Sequence, residues 1–439
     1  MTASSTVSRP VLPALARLEG LSVRGMKLGL EAIAQVCERL GRPQDKVPSV
    51  LIAGTNGKGS TASSLSAIAR AAGLRAGLYT SPHLISVTER VRIGDEDVAE
   101  EELDRVLGLV FEAADRAPEV RVTYFEALTA AAFLLFAERR LDLAVLEVGL
   151  GGRFDATNIA SARLSVITTI SLDHTEELGP TVASIAREKA GVFRGSWPAL
   201  VASPLPEALE VFRKVAREVG AQLHEMAAET SLEIEGSPSG PTRFRLSTPE
   251  RRYRLSTPLP GAHQALNAAT AVRAAELLAP DFLFGARAIE RGVESARWPG
   301  RLERFTVRGR DVWLDGCHNP EGAASLAAFV RAAAPGADLV FAAMADKDVE
   351  SMAQALGGGV IGEVRLVPVA GDRAATPEQL KQRMAAAFPD ARPAPSLAAA
   401  LEEFLSRTGG KPIIVAGSLY LVGEARQLLL GGSLERVHS

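Results

Sequence analysis

Cysteine is almost missing: Cys37 and Cys317 are the only two in 439 residues. So few thiols cannot form a disulfide framework, and a reducing compartment is expected. A charge excess of one sign is also lacking. With 49 basic and 52 acidic residues the formal net charge is −3, which removes the electrostatic signature of nucleic-acid and anionic-membrane binders. Long apolar runs are absent too. The longest, Ala127 to Phe136, is too short for a bilayer and is followed by Glu138-Arg139-Arg140. The start, MTASSTVSRP, has no apolar signal core and reads as a frayed tail. A cytoplasmic protein is therefore expected, monomeric by default because no coiled-coil seam is visible. Its length exceeds one ordinary domain, so two are expected.

What is present begins with Ser49 to Leu84. A short apolar strand, Val50 to Ala53, runs into Gly54-Thr55-Asn56-Gly57-Lys58-Gly59-Ser60-Thr61, and an Ala/Leu-rich helix follows to about Ala72. Strand, glycine loop and helix start form an anion site: backbone N–H groups converge, glycines allow close approach, and Lys58 adds a mobile charge. The spacing departs from the common P-loop, since two residues separate Gly54 from Gly57 and Gly59 intervenes before Ser60. A tight turn with a solvated lysine is the bland alternative.

Further along, apolar strands alternate with helices. Strands are expected at 77–79, 141–148, 164–170 and 199–202. Helices are expected at 100–117, from 123 onward, from about 181 and over 206–219. This predicts an α/β fold: an N-terminal P-loop ATPase domain with a mostly parallel sheet, residues 1–297. Residues 225–257 read as short strands or loops. Arg297-Trp298-Pro299-Gly300-Arg301 marks a hinge, placed at 298–301. Strands near 302–307, 311–315, 338–343, 363–368 and 412–416 then predict a smaller, Rossmann-like doubly wound domain over 302–439. Ligands of such sheets sit beyond the carboxyl ends of the strands.

Polar residues collect at those ends. Glu147 closes one apolar strand and His174 follows another. With a loop hydroxyl, Ser60 or Ser81, they could hold Mg²⁺ bridging ATP phosphates. Taken singly, Glu147 suits an ion pair and His174 a structural hydrogen bond. Lys189 alone suits a solvated helix position. Asp315-Gly316-Cys317-His318-Asn319-Pro320 could hold a ribose or adenine edge, or simply close a turn. Arg301 could reach the phosphates on closure, or sit on the surface. Cys317 reads as a packed side chain.

Eight stretches in order resemble the folylpolyglutamate synthase and dihydrofolate synthase family, relatives of the Mur ligases: AGTNGKGS, TSPHL, TYFE, LEVGLGGRFDATN, SLDHTEELGPTVASIAREKAGVF, GAHQALNA, WPGRLE and DGCHNP. The resemblance spans roughly residues 26–320, and the family's own loop is similar to GTNGKGS. The resemblance implies an ATP-dependent amide ligase that forms an acyl phosphate and then joins it to L-glutamate. Lys58, His174 and Lys189 would be catalytic. ATP would be held by Asn56, Gly57, Lys58, Gly59, Ser60, Asn267, Arg301, Asp315 and His318. Ser60, Ser81, Glu147 and His174 would hold Mg²⁺, two ions in all, with Lys189 joining if carbamylated. A monovalent cation is an optional addition. The pterin or folate region would comprise Lys27, Leu28, Gly29, Leu30, Pro82, Thr123, Tyr124, Phe125, Glu126, Arg153, Phe154, Asp155 and Ala156. Where the family usually has Ala, this chain has Cys317, and Val192-Phe193-Arg194 replaces a common Ile-Ile-Lys.

The LGLEAI, TYFE and RFDATN stretches resemble bifunctional members, which act on both dihydropteroate and reduced folates; a monofunctional folylpolyglutamate synthase is the alternative. A Mur-type peptidoglycan ligase is more distant, because about fifty residues ahead of the loop cannot supply a nucleotide-sugar domain. A regulatory nucleotide binder is disfavoured by intact Lys58, Glu147, His174 and Lys189.

Overall fold

The apolar runs become strands in the computed structural model, which describes residues 12–21, 29–236, 239–371, 373–431 and 436–437. The first sheet contains β1 (Ser49–Ala53), β2 (Ala76–Tyr79), β3 (Val91–Ile93), β4 (Glu96–Asp97), β5 (Leu143–Glu147), β6 (Ala162–Ile167), β7 (Pro198–Val201) and β8 (Gln222–Glu225). Their order is β4-β3-β2-β5-β1-β6-β7-β8. Pairing is parallel along β2-β5-β1-β6-β7-β8 and antiparallel between β2 and β3 and between β3 and β4 at one edge. β1 and β5 are buried at every position, as strands covered on both faces must be. The β3–β4 ribbon escaped the sequence reading because its strands are two or three residues long and β4 is charged.

One face of this sheet packs against helices Glu100–Asp115, Tyr124–Glu138 and Val182–Ala190, the other against Lys58–Ala71, Ala262–Leu277 and Ala286–Ser295. The helix after the glycine loop is buried nearly throughout, although its residues are mostly Ala, Ser, Thr and Gly. Small side chains let neighbouring helices approach closely. A Cβ on Gly292 would overlap the Ile68 backbone. Residues 225–257 supply a second, antiparallel sheet of β9 (Ser231–Glu235), β10 (Thr242–Ser247) and β11 (Arg252–Thr257). Strict alternation puts Phe244, Leu246, Tyr253 and Leu255 inward and Arg243, Arg245, Arg252 and Arg254 outward.

The third sheet comprises β12 (Arg301–Val307), β13 (Arg310–Asp315), β14 (Ala337–Phe341), β15 (Ile361–Leu366), β16 (Arg392–Pro393), β17 (Ile413–Ala416) and β18 (Arg436–Val437). The order is β16-β15-β14-β17-β13-β12-β18, with separate apolar clusters on its two faces. It is parallel from β13 to β16, so the doubly wound expectation holds, with β12 and β18 added antiparallel. Among the described residues no helix is long and apolar enough to cross a membrane.

Segments after β1, β5 and β6 of the first sheet face segments after β13, β14 and β17 of the third, across one cavity of about 590 Å³. Both sheets thus present their carboxyl edges to one space, where loop polar groups collect.

Candidate active site

The glycine loop is tied to the segment after β6. Thr55 N–H donates to Thr169 O at 2.7 Å, Thr55 Oγ1 accepts from Ser171 N–H at 3.1 Å, and Thr168 Oγ1 donates to Asn56 O at 2.7 Å. The segment after β6 therefore serves as the loop's floor. Gly54 must be glycine, because a Cβ would overlap the Thr168 side chain. Gly57 has φ +86°, the left-handed region, and starts the helix at Lys58; a Cβ there would overlap the Asn267 amide. Gly59 lies beneath the Trp298 ring, leaving no space for a Cβ. The open N–H groups of a helix's first turn and its positive dipole end suit phosphate.

Lys58 Nζ donates to Thr55 O at 3.1 Å. Burial lowers its pKa, while Glu147 and Asp173 pull the other way. Glu147, at the end of β5, is 4% exposed and accepts Ser81 N–H at 3.1 Å. Burial raises the Glu147 carboxyl, against the opposing pull of Lys58. Lys58, Ser60, Ser81, Glu147 and His174 all line the cavity. His174 is in the left-handed region at φ 51° and half exposed, and burial lowers its pKa.

Lys189 is in a different place from these. It is 4% exposed and lies off the cavity wall, with Nζ donating to Gly54 O at 2.7 Å behind the loop. Burial, aided by repulsion from Lys58, pushes its pKa down to about 7. A solvated lysine is thus excluded, and a substantial share of this amine is neutral near neutrality.

From the third sheet come Arg301, Asp315 and His318, which meet Asn267 of the first domain at the cavity. Asp315 accepts the N–H groups of Leu302 at 3.1 Å and Cys317 at 3.0 Å. Its turn-closing role and its place on the wall therefore coexist. His318 Nδ1 is 3.0 Å from Gly316 O, and burial pushes its pKa down to about 4. Cys317 is buried, and burial raises its thiol well above the ordinary value, so it is inert.

Apolar and aromatic side chains also line the cavity: Leu21, Pro82, Tyr124, Phe125 and Phe154. Gly29, Thr123, Glu126, Asp155 and Ala156 join them. Thr123 and Glu126 form a capping box for helix Tyr124–Glu138, so the Glu126 carboxylate already accepts Thr123 N–H at 2.8 Å and Thr123 Oγ1 at 2.9 Å. Burial raises the Asp155 carboxyl against hydrogen bonds from Thr157 and Leu150. Two expected members of this region do not reach the wall. Leu30 is the N-cap of helix Glu31–Arg39, and Arg153 packs its backbone and Cβ on Gly191 with its guanidinium over Phe154. Lys27 and Leu28 lie outside the described residues.

Several wall residues carried no role in the sequence reading: Arg90, His263, Gln264, Trp298, Glu321 and Lys347. His263, Gln264 and Trp298 belong to quoted motifs, so motif membership was the available signal. Arg90 and Lys347 gave none; only the fold turns them inward. Arg90 Nε donates to His83 Nδ1 at 2.9 Å and its guanidinium sits over the Tyr124 ring.

No group of three His, Cys, Asp or Glu side chains gathers among the described residues. A stand-alone metal cage is therefore not built. Mg²⁺, however, takes much of its shell from water and phosphate. One buried carboxylate with Ser60, Ser81 and His174 on the same wall fits an ion that arrives with nucleotide.

Comparison with known proteins agrees in extent and order. Residues 52–275 match the Mur ligase middle domain, and residues 300–419 the Mur ligase glutamate ligase domain. The dihydrofolate synthase/folylpolyglutamate synthase of Bacillus subtilis is 38% identical over 344 residues, covering 76% of this chain and 79% of that protein. This chain belongs to the dihydrofolate synthase/folylpolyglutamate synthase family. E. coli FolC in complex with DHPP and ADP superposes with a TM-score of 0.86 at 32% identity, covering 97% of this chain and all of that one. A bifunctional folylpolyglutamate synthase/dihydrofolate synthase solved with Mn, AMPPNP and L-glutamate bound gives 0.84 at 34% identity, over 96% of this chain and 99% of that one. As a family member, the chain is an ATP-dependent acid–amino-acid ligase.

Proposed function

We propose that this ligase adds L-glutamate to dihydropteroate and also to reduced folates. The carrying observation is that one cavity is lined both by the aromatic side chains Tyr124, Phe125 and Phe154 and by the glycine loop. A flat ring system would lie among Tyr124, Phe125 and Phe154. The substrate carboxylate would then lie near Arg90, toward Lys58 and Glu147.

In the first step a carboxylate oxygen attacks the γ-phosphorus of ATP and ADP leaves, giving an acyl phosphate. In the second, the glutamate amine attacks the acyl carbon, phosphate leaves and the nitrogen sheds a proton. A carboxylate is a poor electrophile, so phosphorylation supplies the leaving group, and the remaining work is alignment and charge neutralisation. Loop N–H groups and Lys58 hold the β- and γ-phosphates, with Arg301 closing from the other domain. Asn267, Asp315 and His318 face the nucleoside. Glu147, Ser81, His174 and Ser60 would hold two Mg²⁺ ions, which when bound neutralise phosphate charge. Residues 298–301 would be the hinge between segments 1–297 and 302–439. The two buried free cysteines suit a cytoplasmic enzyme.

Carbamylation of Lys189 would turn a cation into an anion behind the loop. Its lowered pKa supports that reading, since the neutral amine is the form that attacks CO₂.

The test supplies purified protein with ATP, Mg²⁺ and L-glutamate and compares dihydropteroate with tetrahydrofolate. Glutamylation of both is expected. Turnover of one alone removes the dual activity, and turnover of neither removes the pterin reading.

A further inference from the structure

The glycine loop is held from the second domain as well as from its own floor. Asn56, at the loop tip, donates from Nδ2 to Glu321 Oε2 at 2.5 Å and to Asn319 Oδ1 at 3.3 Å. Asn319 Nδ2 returns a hydrogen bond to Asn56 Oδ1 at 3.0 Å and gives another to Asp173 Oδ2 at 3.0 Å. Asn319 is 2% exposed and also caps helix Pro320–Ala333 by accepting Gly322 N–H at 2.9 Å. The amide is therefore fully used and fixed in orientation. Glu321 additionally accepts from Thr169 Oγ1 at 3.5 Å, on the floor of the loop.

The backbone and side chain of Asn56 thus answer to different domains. Its carbonyl is tied to Thr168 within the first domain, and its amide to Asn319 and Glu321 of the second. Glu321 is an unexpected neighbour for a triphosphate, since a carboxylate repels it. Its accepting role toward Asn56 gives it a reason to be there.

We propose that Glu321 and Asn319 are positioning residues that set the phosphate loop through the Asn56 side chain, so that the loop is shaped for ATP only when the second domain is seated. The inference rests on the reading of Gly57 to Ser60 as the ATP phosphate site.

A double-mutant cycle tests it, with kcat and KM for ATP and for L-glutamate measured separately. Asn56→Ala and Glu321→Ala should each raise KM for ATP about tenfold, the scale of a hydrogen bond to a charged group. The double variant should be no worse than the worse single one, and Glu321→Gln, which keeps an acceptor, should restore most of the loss. Melting temperature should barely move in Glu321→Ala. Additive losses, a rise confined to KM for L-glutamate, or a loss that tracks melting temperature would each overturn the proposal. Binding of a non-hydrolysable ATP analogue to Lys58→Ala separates the two layers. If Lys58→Ala binds it normally, the phosphate-site reading fails and the inference with it. If binding is lost but the cycle is additive, only the positioning role fails.

Discussion

The two parallel sheets bring similar architecture to one cavity and use it differently. At the ends of β1, β5 and β6 the first sheet offers short, fixed groups: loop N–H donors, the buried Glu147 and the hydroxyls of Thr168 and Thr169. At the start of β12 and beyond β13 and β14 the third sheet offers longer side chains, Arg301, Glu321 and Lys347. A fixed edge can be shaped for a phosphate in advance, whereas long side chains can reach across a gap that opens and closes. The contact between them is itself polar. Lys347 Nζ lies 2.8 Å from Asp173 Oδ1, with the two side chains 13% and 8% exposed.

The largest expected effect comes from breaking the fixed edge. Glu147→Gln should lower kcat about a thousandfold, with the fold retained by circular dichroism. Because the buried carboxyl is raised by desolvation, melting temperature should hold or rise. Unchanged turnover would remove Glu147 from the chemistry.

Next is the closing side. Lys347→Ala leaves Asp173 without its main cation and should cost about 3 kcal/mol of interdomain stability, read as a larger radius of gyration in small-angle scattering. Burial alone would raise the Asp173 carboxyl, but Lys347, Asn319 and His174 overcome it and hold the group well below its ordinary value. The sign follows: the stabilisation is present above the unfolded-state pKa and is lost as pH falls through the depressed folded value. In a melting series toward acid, the difference between wild type and Lys347→Ala should therefore narrow.

A smaller effect separates Lys189 from the cavity-lining residues. At fixed dissolved CO₂, reactivation of a decarbamylated enzyme should speed up as pH rises through about 7, where the amine loses its proton. The same depressed pKa makes this residue's contribution to folding stability rise with pH from about 7 toward the ordinary lysine value of 10.5. A reactivation rate flat in pH would show that this amine is not the group modified. The smallest effect is Cys317→Ala, a small-for-small change at a buried position, which should shift stability by less than about 1.5 kcal/mol and leave turnover intact.

Much of the fixed edge was legible in the chain because it is local. Strand, glycine loop and helix are contiguous, and Glu147 and His174 each end an apolar run whose period identifies it. The closing side was less so. Asp173 and Lys347 are 174 positions apart, and nothing around Lys347 distinguishes it from a surface lysine until β14 brings it across the cavity. Arg153 illustrates the reverse error: it sits inside a motif stretch, yet close packing against Gly191 turns it away from the wall. The antiparallel sheet at 231–257 was only half visible, because its alternation is clear in β10 and β11 but is interrupted by Ser, Pro and Gly between β9 and β10.

The stacking of Trp298 on Gly59 has a practical consequence. Trp197 and Trp313 are the other two indoles, and neither borders the cavity. Emission from Trp298 would then change with occupancy of the glycine loop while the other two supply a steady background. If the glycine loop takes the nucleotide phosphates as proposed, Trp298 is an optical probe of their arrival that needs no label.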